Sequence, residues 1–225
     1  MSVAIVTGAS RGLGLALTRA LAADGWRVIV DARGADALRE AVGGLDGVVA
    51  VAGDVAEPTH RRALVEAAGE RVDLLVNNAS VLGPSPQPRL GGYPLAELER
   101  VHRVNVLAPL ALIQLALPRL APGARIVNVT SDAAVEPYPG WGGYGSSKAA
   151  LEQLTAILAA EQPELRVYAV DPGDMRTQLQ QEAFPGEDIS DRSPPEDSVP
   201  GVLALVAGHL PSGRYRAQET AGLAA

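Results

Sequence analysis

Ser131, Tyr144 and Lys148 are the residues whose types and spacing best fit proton chemistry in this 225-residue chain. Tyr144 and Lys148 stand four apart at the start of a helical pattern, so they share one helix face. A phenol with an ordinary pKa of about 10 is protonated at neutral pH. A fixed ammonium nearby favours the phenolate and brings the group towards useful proton transfer. Ser131, at the tip of a short apolar run, is placed to donate a hydrogen bond to a substrate oxygen. Tyr-x-x-x-Lys alone is most often a solvated helix face. A second group raises it above that: Thr7-Gly8-Ala9-Ser10-Arg11-Gly12-Leu13-Gly14, between a predicted strand and a predicted helix. Glycines there allow a tight turn, close approach of a pyrophosphate to the backbone, and packing of helix on strand. The helix amino terminus adds free N–H groups for phosphate. The spacing is Gly-x-x-x-Gly-x-Gly rather than the common Gly-x-Gly-x-x-Gly, and no Lys-Ser or Lys-Thr follows to make a P-loop.

These groups need elements to hold them. Apolar runs at Val3–Val6, Trp26–Val30, Val48–Ala52, Val72–Val76, Arg125–Val129 and Arg166–Val170 predict strands. Helical patterns run over Gly12–Ala23, Asp36–Val42, from Pro58 to about Glu70, and over Leu95–Leu120, Tyr144–Glu161 and Glu196–Ala207. Arg214–Ala217 is a candidate short last strand, and Gly83–Pro94 is a Pro- and Gly-rich loop. This alternation predicts an α/β fold: a doubly wound parallel sheet with helices on both faces, in a single domain over residues 1–225. Ligands of such sheets lie outside the carboxyl ends of the strands. The unusual residues collect there, with Gly8, Asp31-Ala32-Arg33, Asp54, Asn77-Asn78, Thr130-Ser131 and Asp171-Pro172-Gly173 closing the six strands in turn.

Thr7–Gly14, Asn77-Asn78-Ala79, Ser131, Tyr144-x-x-x-Lys148 and Pro172-Gly173-x-x-x-Thr177 together resemble the short-chain dehydrogenase/reductase family. The match is to its compact single-domain branch and covers residues 1–180 in order and spacing. The resemblance implies a Rossmann-like sheet of about seven strands and hydride transfer between a nicotinamide cofactor and an alcohol or carbonyl. It implies that Ser131 polarises the carbonyl, Tyr144 exchanges the proton, and Lys148 holds the nicotinamide ribose and lowers the tyrosine pKa. Gly8, Ser10, Arg11, Gly12, Leu13 and Gly14 would then cradle the phosphates, and Asp54 and Val55 would flank the adenine. Asn78 and Ala79 would lie along the cofactor, with Pro172, Gly173, Met175 and Thr177 around its nicotinamide end. Asn105 matches the family's fourth catalytic residue. Pro109, four residues on, has no N–H for the Asn105 carbonyl, so that carbonyl is expected to hold a proton-relay water beside Lys148. Ser80 replaces the family's usual glycine, with little effect expected beyond a tighter backbone. The usual Asp-Gly-Gly ending is missing, which leaves the last strand in doubt.

The family's acidic position at the end of the second strand falls on Ala32, which cannot bond ribose hydroxyls or repel a 2′-phosphate. Arg33 and Arg11 are candidates to clamp that phosphate, so NADP(H) is expected over NAD(H). Asp31 is the competing reading. One position early, it faces the other side of the strand, and a one-residue slip would make it the ribose ligand and favour NAD(H).

Nineteen Lys and Arg against 26 Asp and Glu give a net charge of −7, which speaks against a nucleic-acid partner. The absence of cysteine removes disulfides, thiolate catalysis and Cys-type zinc sites. His60, His102 and His209 lack metal-ligand spacing and read as ordinary surface or helix residues. The apolar runs are too short or interrupted for a membrane span. Met1–Val6 carries no charged leader, so a cytoplasmic protein is expected. Substrate recognition is expected from Asp132–Gly143, with Tyr138 and Trp141, and from a lid loop over 177–195. The expected substrate is a small carbonyl or alcohol. Val106–Leu117, apolar on nearly every side, predicts a homodimer or homotetramer. Two other functions suit the same fold: an NADP(H)-binding regulator without turnover, and a lyase or epimerase. The Ser131, Tyr144 and Lys148 set argues against the first, and the glycine spacing against the second.

Overall fold

The computed structural model describes residues 1–223. Its strands are β1 (Val3–Val6), β2 (Arg27–Ala32), β3 (Val48–Ala52), β4 (Val72–Asn77), β5 (Leu120–Val129), β6 (Arg166–Asp171) and β7 (Gly213–Arg216). They form one parallel sheet in the order β3-β2-β1-β4-β5-β6-β7. The order reverses between β1 and β4, and a crevice opens outside the strand ends at such a switch point.

Strand alternation divides the apolar residues between two cores. Ala4, Val6, Val28, Val30, Val127 and Val129 pack with α1 (Gly12–Ala23), α2 (Ala35–Val42) and α8 (Val199–Ala207). Val3, Ile5, Ile29, Leu75 and Ile126 face the other way, onto α3 (Pro58–Ala68) and α5 (Ala108–Ala116). Both faces are covered, which is why these strands read as unbroken apolar runs rather than as alternating ones.

Three elements differ from the sequence expectation. The helix expected over Leu95–Leu120 is α4 (Leu95–His102), a π turn over Arg103–Leu107, and α5. The Ala108 N–H, just past the turn, reaches back to the Arg103 carbonyl, and Pro109 comes next. Leu95–Arg119 has the length and hydropathy of a membrane span, with a mean hydropathy of 1.3, yet half of that apolar window is buried inside the protein. The 177–195 segment is not a plain loop. Thr177 caps α7 (Gln178–Ala183) by accepting from the Gln180 N–H, and Met175 bridges to Ser193. The doubtful last strand is present. β7 pairs with β6 from Tyr168 to Asp171, and Tyr215 packs edge-on to Tyr168. Arg214 pins it with ion pairs to Glu152 and Asp171, and α9 (Ala217–Thr220) follows.

Candidate active site

One cleft of about 870 Å³ runs along the strand tips. Of the residues predicted to touch the cofactor, only Gly14 does not line it. Gly14 serves from behind: a Cβ there would run into the Gly8 carbonyl and the Asn78 amide. Gly12 turns into α1 at φ +56°, a conformation that favours glycine. No side chain caps α1, so its first N–H groups are left for an anion.

The loop is bolted to two neighbouring strands. Thr7 Oγ1 accepts from the N–H groups of Asn78 and Ala79, both at 3.0 Å, while Asn78 Nδ2 donates to the Thr7 carbonyl. Asp31, at the end of β2, is 1% exposed. Its Oδ1 accepts from the Gly8 N–H at 2.7 Å and its Oδ2 bonds His60 Nε2 at 3.0 Å. Both oxygens are therefore committed to shaping the loop. His60, read from sequence as an ordinary surface or helix residue, does lie in α3 but is a buried partner of that carboxylate. Arg11 and Arg33 line the same end of the cleft, are exposed, and pair with no side chain among the described residues. The cleft, the uncapped helix and these two guanidiniums fit a pyridine dinucleotide.

At the other end, α6 (Gly142–Glu161) carries Tyr144 and Lys148, both buried. Lys148 is the only lysine in the chain. Its Nζ donates to the Val129 carbonyl at 2.8 Å and lies 5.4 Å from the centre of the Tyr144 ring. Burial pulls Lys148 down to about 8, partly offset by Glu152. The expected lowering of the tyrosine is reversed. Burial pushes Tyr144 well above the ordinary phenol value, Asp171 and Asp132 add to this, and the hydroxyls of Ser80 and Ser131 oppose it. Ser131 Oγ donates to Asp132 Oδ1 at 2.9 Å.

Asn105 does not line the cleft; it stands behind its wall, 1% exposed. Its amide accepts from Ser80 Oγ and the Val81 N–H and donates to the Val81 carbonyl and Ser147 Oγ. Ser80 is thus more than a tolerated replacement for glycine. Beside Tyr144 the cleft wall is apolar and aromatic, lined by Leu82, Trp141 and Leu179. Trp141 meets the rings of Tyr144 and Phe184, each at 5.9 Å, and that of Tyr138 at 6.2 Å. Sequence reasoning named Asp132 only as the start of a substrate segment, not as the partner of Ser131, and missed the roles of His60 and Ser80; Ser80, as a departure from the family pattern, left a signal.

A dinucleotide cradle and a buried tyrosine–lysine pair in one strand-tip cleft define a nicotinamide-dependent oxidoreductase of the Rossmann type. The family model described as short chain dehydrogenase matches residues 2–188, and the chain belongs to that family. It is a short-chain dehydrogenase/reductase that binds a nicotinamide cofactor. It is similar to the (S)-benzoin-forming benzil reductase of Saccharomyces cerevisiae, at 32% identity over 216 residues, covering 89% of this chain and 80% of the relative. A short-chain dehydrogenase of Shigella flexneri solved with NADP superposes with a TM-score of 0.89 at 27% identity, covering 96% of this chain and 97% of that one. The 3-ketoacyl-(acyl-carrier-protein) reductase of Brucella melitensis, solved with NADH, gives 0.85 at 25% identity, covering 96% of each chain. Since these two neighbours hold different cofactors, the choice between them falls to this chain's own residues.

Proposed function

We propose that the chain is an NADP(H)-dependent reductase of small carbonyl compounds, with Tyr144 as the proton donor. One observation carries the reading: the buried Tyr144 phenol shares a single cleft with the dinucleotide cradle. When bound, the nicotinamide supplies a hydride to the carbonyl carbon or takes one from the alcohol. Ser131 turns its proton from Asp132 to the substrate oxygen and polarises it. Tyr144 gives its proton to the same oxygen as negative charge develops there. Lys148 holds the nicotinamide ribose, and the Asn105 carbonyl, which Pro109 cannot bond, holds a water that returns the proton.

Arg11 and Arg33 favour NADP(H) by clamping the 2′-phosphate, and Ala32 offers no carboxylate to repel it. Asp31, bonded to Gly8 and His60, is engaged elsewhere. The apolar wall of Leu82, Trp141 and Leu179 suits a carbonyl bearing an aryl or compact aliphatic group. Leu107, at the end of the π turn that leads into α5, and Ile157 on α6 are exposed and support a homodimer through this face, which light scattering would detect. The test of function is a panel of carbonyls and alcohols, benzil included, followed by nicotinamide absorbance with NADPH and with NADH. Turnover with NADPH exceeding that with NADH supports the reading, and no turnover of any member overturns it.

A further inference from the structure

We propose that Ser80 is a positioning residue for proton transfer, its hydroxyl turning from the Asn105 amide oxygen to the Tyr144 oxygen when that phenol gives up its proton. This rests on the reading of Tyr144 as the proton donor. Ser80 follows β4 and lies in the cleft wall with Tyr144 and Ser131. Its Oγ donates to Asn105 Oδ1 at 3.1 Å, and that oxygen also accepts from the Val81 N–H at 2.9 Å. Asn105 Nδ2 donates to Ser147 Oγ, which donates to the Tyr144 carbonyl. One connected frame therefore fixes Ser80 relative to the first turn of α6.

Two hydroxyls, those of Ser80 and Ser131, share the cleft wall with Tyr144 and favour its ionised form, and they differ in what holds their protons. Ser131 donates to the Asp132 carboxylate at 2.9 Å, a charge-assisted bond about twice as strong as one between neutral groups. Ser80 donates to an uncharged amide oxygen that keeps the Val81 N–H when Ser80 turns away. Turning Ser80 leaves no buried acceptor empty, whereas turning Ser131 takes a partner from a carboxylate. Ser131 is also required at the substrate oxygen.

The surrounding charges make an added donor matter. Asp132, next to Ser131, and Asp171, at the end of β6, both disfavour a phenolate. The cation on the same helix, Lys148, spends one N–H on the Val129 carbonyl and faces Glu152. In the step itself the Tyr144 proton passes to the substrate oxygen. Ser80 keeps its own proton and donates it as a hydrogen bond to the phenolate left behind.

The test compares native protein with Ser80→Ala, Ser80→Gly, Ser80→Thr and Tyr144→Phe, using benzoin and benzil as the probe pair. Loss of a donor to the phenolate moves the acid limb of the benzoin-oxidation profile up by about one pH unit in Ser80→Ala and Ser80→Gly. Ser80→Thr returns it to the native position. A purely structural loss would scale the whole profile without moving the limb. A second readout needs no turnover: the alkaline titration of the Tyr144 13Cζ resonance, assigned by its loss in Tyr144→Phe, moves to higher pH in Ser80→Ala and returns in Ser80→Thr. An unmoved limb together with an unmoved titration overturns the proposal. Native turnover in Tyr144→Phe would remove the reading of Tyr144 itself, while the resonance would still report whether Ser80 touches it.

Discussion

At the end of the cleft built from β1, β2 and β4, polar groups are bound to backbone: Thr7 holds Asn78 and Ala79, Asp31 holds Gly8, and His60 holds Asp31. At the other end the walls are side chains on connecting segments, with Trp141 between the rings of Tyr144 and Phe184. The first end fixes a backbone shape suited to one ligand class. The second presents an apolar surface whose fit depends on a few exchangeable rings. A strand-tip frame therefore sets what cofactor chemistry is available, and the segments beyond it set what is acted upon.

The strongest way to break this contrast is to loosen the fixed end. Asp31→Ala leaves the Gly8 N–H and His60 without their partner, at a cost of about 3 kcal/mol in stability. NADPH affinity falls with it, so denaturant unfolding and calorimetric titration should register the loss together. Wild-type values for both would show that the loop does not need its anchor.

Arg33→Ala tests the proposed phosphate clamp without touching the frame. NADPH affinity is expected to fall about tenfold, NADH affinity to stay within about twofold, and the salt dependence of NADPH binding to flatten. At the adaptable end, Trp141→Ala is expected to raise KM for the best carbonyl of the panel about fivefold through lost apolar contact. NADPH affinity and melting temperature should hold. A fall in NADPH affinity there would blur the line between the two ends.

Lys148, where the ends meet, gives the smallest and cleanest signal. As the only lysine, its 13Cε resonance should titrate near its lowered value of about 8. Between pH 8 and its ordinary value of about 10.4 the unfolded chain binds more protons than the folded one, so stability rises with pH across that window. The gain is on the order of 1–2 kcal/mol, and Lys148→Met abolishes it. Above about pH 10 the raised Tyr144 pKa works the other way, because only the unfolded phenol ionises.

The same contrast explains what could be read from the amino-acid order. Gly8, Gly12 and Gly14 could be read because backbone turns demand glycine at fixed spacing. Tyr144 and Lys148 could be read because four residues make one helical turn. Asp31 was expected on the other side of its strand, but nothing local says that His60, 29 residues later, would meet it. Pro109 signalled a missing helical bond at Asn105, but the π turn at Arg103–Leu107 was not legible because its residues keep a helical pattern. α7 was hidden by its polar sequence, Gln178-Leu179-Gln180-Gln181-Glu182-Ala183, whose signal is the Thr177 cap. Trp141 and Phe184 lie 43 positions apart, and only the folded chain brings their rings together.

The most direct test is single-turnover oxidation of bound NADPH by the carbonyl of the panel that native protein reduces fastest, in native protein and in Tyr144→Phe, with NADPH affinity measured on both. Native protein is expected to consume the NADPH. Tyr144→Phe is expected to bind it within about twofold of native and to consume it about a thousandfold more slowly. Consumption by Tyr144→Phe at the native rate would contradict the assignment of proton transfer to this phenol.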